Sequence, residues 1–219
     1  MSPEMRREAG FSLIEMMVAI FILGMVMAGV YVGLNNIQSS SVGAAERVIN
    51  LDEGRVLMDT LSKDFRTATR RTDTSNPLES ASWQSATFYA RLNTPGQPVL
   101  VQIALDSEGR LEEKITDPVC QVSITPCPVD EWEYPGPART RIVGRWVDKT
   151  VPVFTYYTVD PDNGDPVPVR LDPSNPAPLT TLELAQVRAV QISLKIRRSP
   201  NIGATPTTLE NWVRLPNIY

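Results

Sequence analysis

Residues 10–15 read Gly10-Phe11-Ser12-Leu13-Ile14-Glu15, and the run they open, Phe11 to Leu34, is almost continuously apolar with Glu15 as its only charge. Before it lies a polar segment, MSPEMRREAG, carrying Arg6 and Arg7. A bilayer-spanning helix needs about 20 predominantly apolar residues rising about 1.5 Å each, and this run meets that length. No Lys or Arg follows until Arg47, so the excess of positive charge precedes the span. That asymmetry predicts a cytoplasmic N-terminus, with everything after Leu34 outside.

Glu15 separates this segment from a plain anchor. A carboxylate at the centre of a membrane helix costs about 2.5–3.5 kcal/mol on insertion scales, so it calls for a partner or a function. A secretory signal has a shorter apolar core, about 7–15 residues, before its small-residue cleavage site. Ala28 and Gly29 are small, but the run is too long for that reading. A cut after Gly10 would leave Phe11 as the first residue. Its new α-amino group would then be a counter-ion for the Glu15 carboxylate of an adjacent subunit.

Leader, Gly10, Phe11, the offset to Glu15 and the apolar run together resemble the class III signal of type IV pilins and type II secretion pseudopilins. The resemblance implies cleavage by prepilin peptidase between Gly10 and Phe11, N-methylation of Phe11, and a Glu15 contact that sets axial register during assembly. It implies a protein of the bacterial inner membrane, single-pass with a periplasmic head, that later enters a pilus or pseudopilus. The implied partners are other pilins or pseudopilins through the N-terminal helix, prepilin peptidase, the inner membrane, and a tip adhesin or secretion-system components. One departure is plain: major pilins often carry a helix-kinking Pro near Val32, and here no Pro lies between Pro3 and Pro77. Gly24, Gly29 and Gly33 stand there instead. They are either weak points, each costing up to about 1 kcal/mol relative to Ala, or small residues easing close helix packing. The sequence leaves both open.

Beyond the span, Val48, Leu51, Met58, Leu61, Phe65 and Ala68 follow the three-and-four spacing of one helical face, predicting a stripe that packs on a sheet. Charged residues between them mark the solvated side. A helix from Phe11 to Thr69 would be about 90 Å long, ending before the turn formers of TDTSNP at residues 72–77. The expected organisation is a cleavable leader at 1–10, a transmembrane and assembly half-helix at 11–34, an amphipathic half at 35–70, and a β-rich head at 71–219.

Candidate strands are Ala86 to Leu92, Val99 to Leu105, Arg110 to Ile115, Ile142 to Val147, Val153 to Val159, Val167 to Leu171, Val187 to Ile196 and Asn211 to Leu215. Asp106-Ser107-Glu108-Gly109 and Asp162-Asn163-Gly164-Asp165 read as hairpin turns. The imperfect alternation of Val187 to Ile196 predicts a central strand with one side on the helix. The fold class is therefore α+β: a long N-terminal helix packed on an antiparallel β-sheet head, as in pilins.

The composition narrows function further. The net charge is -4 and no basic cluster stands out, so no direct nucleic-acid binding is expected. No histidine occurs, which removes the commonest general base and zinc ligand. No phosphate-binding loop, redox CxxC or nucleophile with a visible base appears, so neither catalysis nor a cofactor is expected. Cys120 and Cys127, close together in a Pro-rich stretch of an exported head, are expected to form a disulfide. Asp160, Asp162, Asn163 and Asp165 offer oxygen ligands for calcium, but their register does not fit an EF-hand and a solvated turn is the better account, so no metal site is assigned. The four tryptophans, Trp83, Trp132, Trp146 and Trp212, are read as core or interface residues, with the core as the default expectation.

The segment Arg55 to Arg70 followed by a long β-rich head resembles W-type minor pilins and J-type pseudopilins. The expected function is a minor pilin that initiates assembly or sits at the filament tip, with the J-type pseudopilin as the alternative. A signal-anchored exported enzyme or ligand-binding domain is the alternative from another class.

Overall fold

The computed structural model describes residues 12–72, 75–92, 98–122, 127–128, 131–160, 164–170, 175, 177–197 and 206–215. Helix α1 spans Leu13–Arg66. It is followed by β1 (Ala68–Thr69), β2 (Ser80–Ala81), β3 (Ser85–Ala90), β4 (Val99–Leu105), β5 (Leu111–Thr116), β6 (Val119–Cys120), β7 (Trp132–Glu133) and β8 (Arg139–Gly144). Then come β9 (Phe154–Val159), β10 (Pro166–Pro168), the short helix α2 (Thr181–Gln186), β11 (Ala189–Ile196) and β12 (Thr207–Arg214). The chain divides into two units, Met1–Ala45 and Glu46–Tyr219, with the end of α1 belonging to the second.

Within the second unit, alternating apolar residues build two antiparallel sheets. One runs β1-β3-β4-β5-β8, with β2 also paired to β3; the other runs β10-β9-β11-β12; β6 and β7 form a small separate pair. The two turns read from sequence each join neighbours: β4 pairs β5 in register Leu105↔Leu111, and β9 pairs β10 with Val159↔Pro166. Gly109 takes φ +77 at the first turn, and a Cβ there would lie 2.8 Å from the Val147 carbonyl, so glycine is required twice over. β11 alternates half-buried and buried residues along its whole length and lies between β9 and β12, the central position expected of it.

The C-terminal part of α1 supplies the centre of the core. Leu57, Leu61 and Phe65 are essentially inaccessible, each such burial worth roughly 1.5–3 kcal/mol. Phe65 joins both sheets, its ring centroid 4.7 Å from Phe88 on β3 and 5.6 Å from Phe154 on β9. Asn211 of β12 adds a polar tie, donating to Ser62 Oγ at 2.7 Å. α1 ends at Arg66, where Thr67 N–H bonds both Lys63 and Asp64 carbonyls before β1 begins.

Several expectations are corrected. Val48 is not part of the packing stripe: it is 65% exposed, since at about 100° per residue it lies about 100° round the helix from Phe65. Of the four tryptophans none is buried; Trp83 and Trp132 are half-buried, while Trp146 and Trp212 are exposed. β8 lies at Arg139–Gly144, earlier than the apolar run Ile142 to Val147 indicated. β10 is only Pro166–Pro168, an edge strand where the missing proline N–H groups cost no ladder bonds.

Candidate membrane and assembly segment

The apolar stretch of α1 has a mean hydropathy of 2.4 over its best 18-residue window, none of it buried. Every large apolar side chain from Leu13 to Leu34 is exposed within this chain. Such a surface is unstable in water and suits lipid or the helices of neighbouring subunits. The helix continues unbroken through Gly24, Gly29 and Gly33, and a Cβ at any of them would meet nothing within 4 Å. Among the described residues their smallness therefore serves no packing inside this chain.

Ser12 and Glu15 start the helix together. Ser12 Oγ accepts from the Glu15 N–H at 3.3 Å, and Glu15 Oε2 accepts from the Ser12 N–H at 3.3 Å. This reciprocal pair is a capping box, satisfying two donors that a helix N-terminus otherwise leaves open. It also places a carboxylate at the positive end of the helix dipole. The Ser-x-x-Glu spacing of this box stands in the sequence at Ser12 and Glu15, so the carboxylate has a local partner besides its expected intermolecular one. Gly10 and Phe11, the residues of the expected cleavage and methylation, lie outside the described residues.

Cys120 and Cys127 form a disulfide, with Cα atoms 6.0 Å apart. At the second expected turn Gly164 takes φ +76 and its N–H bonds the Asp160 carbonyl at 2.9 Å, while Asp160 N–H bonds the Asp165 carbonyl at 2.8 Å. Asp162 and Asn163 lie outside the described residues. Among the described residues, no group of three or more His, Cys, Asp or Glu is arranged to hold a metal.

The head contains one arrangement of charges that sequence reasoning missed. Glu113 on β5 is fully inaccessible and Asp64 on α1 is 4% exposed. Arg141 on β8 donates to Glu113 from the cross-strand position. Burial first, then the Glu113 charge and a hydrogen bond to it, push the Asp64 carboxyl up to about 7. Among the described residues, Asp64 Oδ2 and Glu113 Oε1 are buried without a hydrogen-bond partner, as the raised Asp64 carboxyl would leave them when protonated beside a second acid. A cavity of about 470 Å³ lined by Lys63, Asp64, Arg139 and Arg141 opens beside them. Alternation on β5 places Leu111, Glu113 and Ile115 on one side, and nothing local in the sequence marks the acid among them as buried.

Helix and head together define an α+β protein of pilin-like architecture whose apolar N-terminal helix is fit for membrane anchoring. A family model described as the prokaryotic N-terminal methylation motif matches residues 5–31, so the chain carries the signal of type IV pilins and pseudopilins. No curated protein and no solved structure matches the chain.

Proposed function

We propose that this chain is a non-enzymatic structural subunit of a type IV pilus, a minor pilin that initiates assembly or occupies the filament tip. The observation that carries the reading is Glu15, a lone carboxylate in a lipid-length helix inside the methylation motif. Cleavage after Gly10 frees the Phe11 amine, which is then methylated and pairs with the Glu15 of a neighbour in the membrane. Before assembly the Ser12 box holds that carboxylate on its own helix. The long head with its Pro-rich excursions favours a minor over a shaft subunit, because it would crowd a dense lattice. A J-type pseudopilin of a type II secretion system uses the same N-terminal chemistry and is the second reading. Partners are other pilins or pseudopilins, prepilin peptidase, and tip or secretion-system components.

Glu15→Ala tests the assignment in cells that make the filament. The variant should insert normally, while its recovery in sheared filaments falls about a hundredfold or more, the cost of leaving a buried charge unpaired. Normal incorporation would refute the assembly role. An anchored enzyme or ligand-binding head would be indifferent to the change. Complementing pilus-defective and secretion-defective strains in parallel separates the minor pilin from the pseudopilin.

A further inference from the structure

The C-terminal end of α1, β5 and β8 enclose the cavity of about 470 Å³, a size within the range of small-ligand sites. Three cations line it, and most of their donors are open. Lys63 makes no hydrogen bond or ion pair among the described residues. Arg139 gives only Nη2, to Asp117 at 2.9 Å, and Arg141 gives only Nε, to Glu113. Each guanidinium carries five N–H donors and the ammonium three, so the greater part of this capacity faces the cavity or solvent unused. The Thr140 hydroxyl on the same wall also has no partner among the described residues.

A buried acid lines the same cavity. Asp64 is only 4% exposed, and its Oδ2 has no hydrogen-bond partner among the described residues. Glu113 of β5 and Arg141 of β8 face it, with Lys63 beside it on α1. Burial and the Glu113 charge keep it protonated up to about pH 7, so below that it adds no negative charge. Glu113 and Asp117 offset two of the three cations, which leaves the charge of Lys63 uncompensated. That surplus matches a monoanion and is too small for a phosphate dianion. Leu92 and Ile115, packed against the core, give the cavity an apolar wall that suits an aliphatic stem.

We propose that this cavity binds a carboxylate on a short aliphatic stem, held by Lys63, the Thr140 hydroxyl and the open N–H groups of Arg139 and Arg141. Two sources share that chemistry: a glutamate side chain of another polypeptide and a free short-chain fatty acid. Asp64 makes the site sensitive to pH, because its ionised form would put a second negative charge beside the ligand. The site lies wholly within the second unit, goes beyond the filament-subunit reading and does not depend on it.

Equilibrium dialysis of the full chain in lipid nanodiscs against radiolabelled butyrate, with empty nanodiscs as the blank, tests the site. At about pH 6 one butyrate should bind per chain. Affinity should fall about tenfold at about pH 8, where only about one molecule in ten keeps the Asp64 proton. Lys63→Gln and Arg139→Gln change exposed side chains and should each weaken binding about tenfold with unchanged urea midpoints. Asp64→Asn, which keeps the shape without the ionisation, should bind equally at both pH values. A capped peptide with one central glutamate separates the sources: tighter binding than butyrate assigns the site to a polypeptide, and weaker or equal binding assigns it to the free acid. The matching glutamine peptide should not bind. Absence of saturable binding of both butyrate and the glutamate peptide at millimolar concentration would overturn the proposal. So would wild-type affinity in Lys63→Gln, equal wild-type affinity at the two pH values, or tighter binding of inorganic phosphate.

Discussion

At the residue scale two positions are costly for the isolated chain. Glu15 places a carboxylate where lipid penalises it, and its capping bonds to Ser12 offset part of that penalty. Trp146, where the chain crosses from β8 to the other sheet and Val147 bridges Ile196, places an aromatic ring on a left-handed backbone, φ +63, that prefers glycine. If the conformation is set by the sheet crossover, Trp146→Gly should be more stable than Trp146→Ala by about 1 kcal/mol. Denaturant midpoints of the two variants check this, and equal midpoints would mean that the turn relaxes freely. Removing the Asp64 proton is a second residue-scale test. The folded Asp64 carboxyl binds its proton up to about pH 7, well above the ordinary range near 3.8, so the native state holds more protons than the unfolded chain between those values. Its contribution is fully present below about pH 4 and is lost as pH rises towards 7. Asp64→Asn should flatten that part of the stability profile in pH-dependent urea melts; an unchanged slope would mean that Asp64 holds no extra proton in the folded state.

At the element scale, α1 is held against the two sheets where small residues allow close approach. A Cβ on Gly144 of β8 would collide with the Leu57 side chain, and one on Gly54 of α1 with Leu209. Leu57 is buried and cannot swing away, so Gly144→Ala should cost about 1–3 kcal/mol by overpacking. Thermal denaturation reads the loss, and a neutral substitution would show slack between α1 and β8. Strands with strong alternation and turn-bounded ends were legible from the sequence: β4 lies where Val99 to Leu105 predicts it, and both hairpins pair as their turns require. The two-residue strands β1, β2, β6 and β7 carry no periodicity to read. β8 starts ahead of its apolar run because Arg139, Thr140 and Arg141, which look like loop, are ordinary protection on an edge strand. α2 was missed although Thr180 and Glu183 form a capping box that the sequence displays.

At the scale of the molecule, opposing titrations set where the head is most stable. Asp148 is held down to about 2 by hydrogen bonds from Lys195 and Thr150, and Glu183 to about 2 by Arg170 and Thr180. Their contributions are present above the ordinary carboxylate range and vanish as pH falls towards 2. Combined with the loss from Asp64 on the alkaline side, stability should peak near pH 4–5, about where neither set has yet titrated. Urea unfolding from pH 2 to pH 8 checks the dome; a monotonic rise to neutrality would contradict it. The membrane segment was the most legible part of the chain, because lipid imposes length and polarity directly on composition, while the head's buried acid pair and exposed Trp146 depend on tertiary neighbours that no local pattern encodes.

The proposed assembly role is tested most directly by where the mature chain begins. Mass spectrometry of the protein recovered from cells with an active prepilin peptidase should find Phe11 at the N-terminus, bearing one added methyl group. A chain that still starts at Met1, or one cut near Ala28, would contradict it.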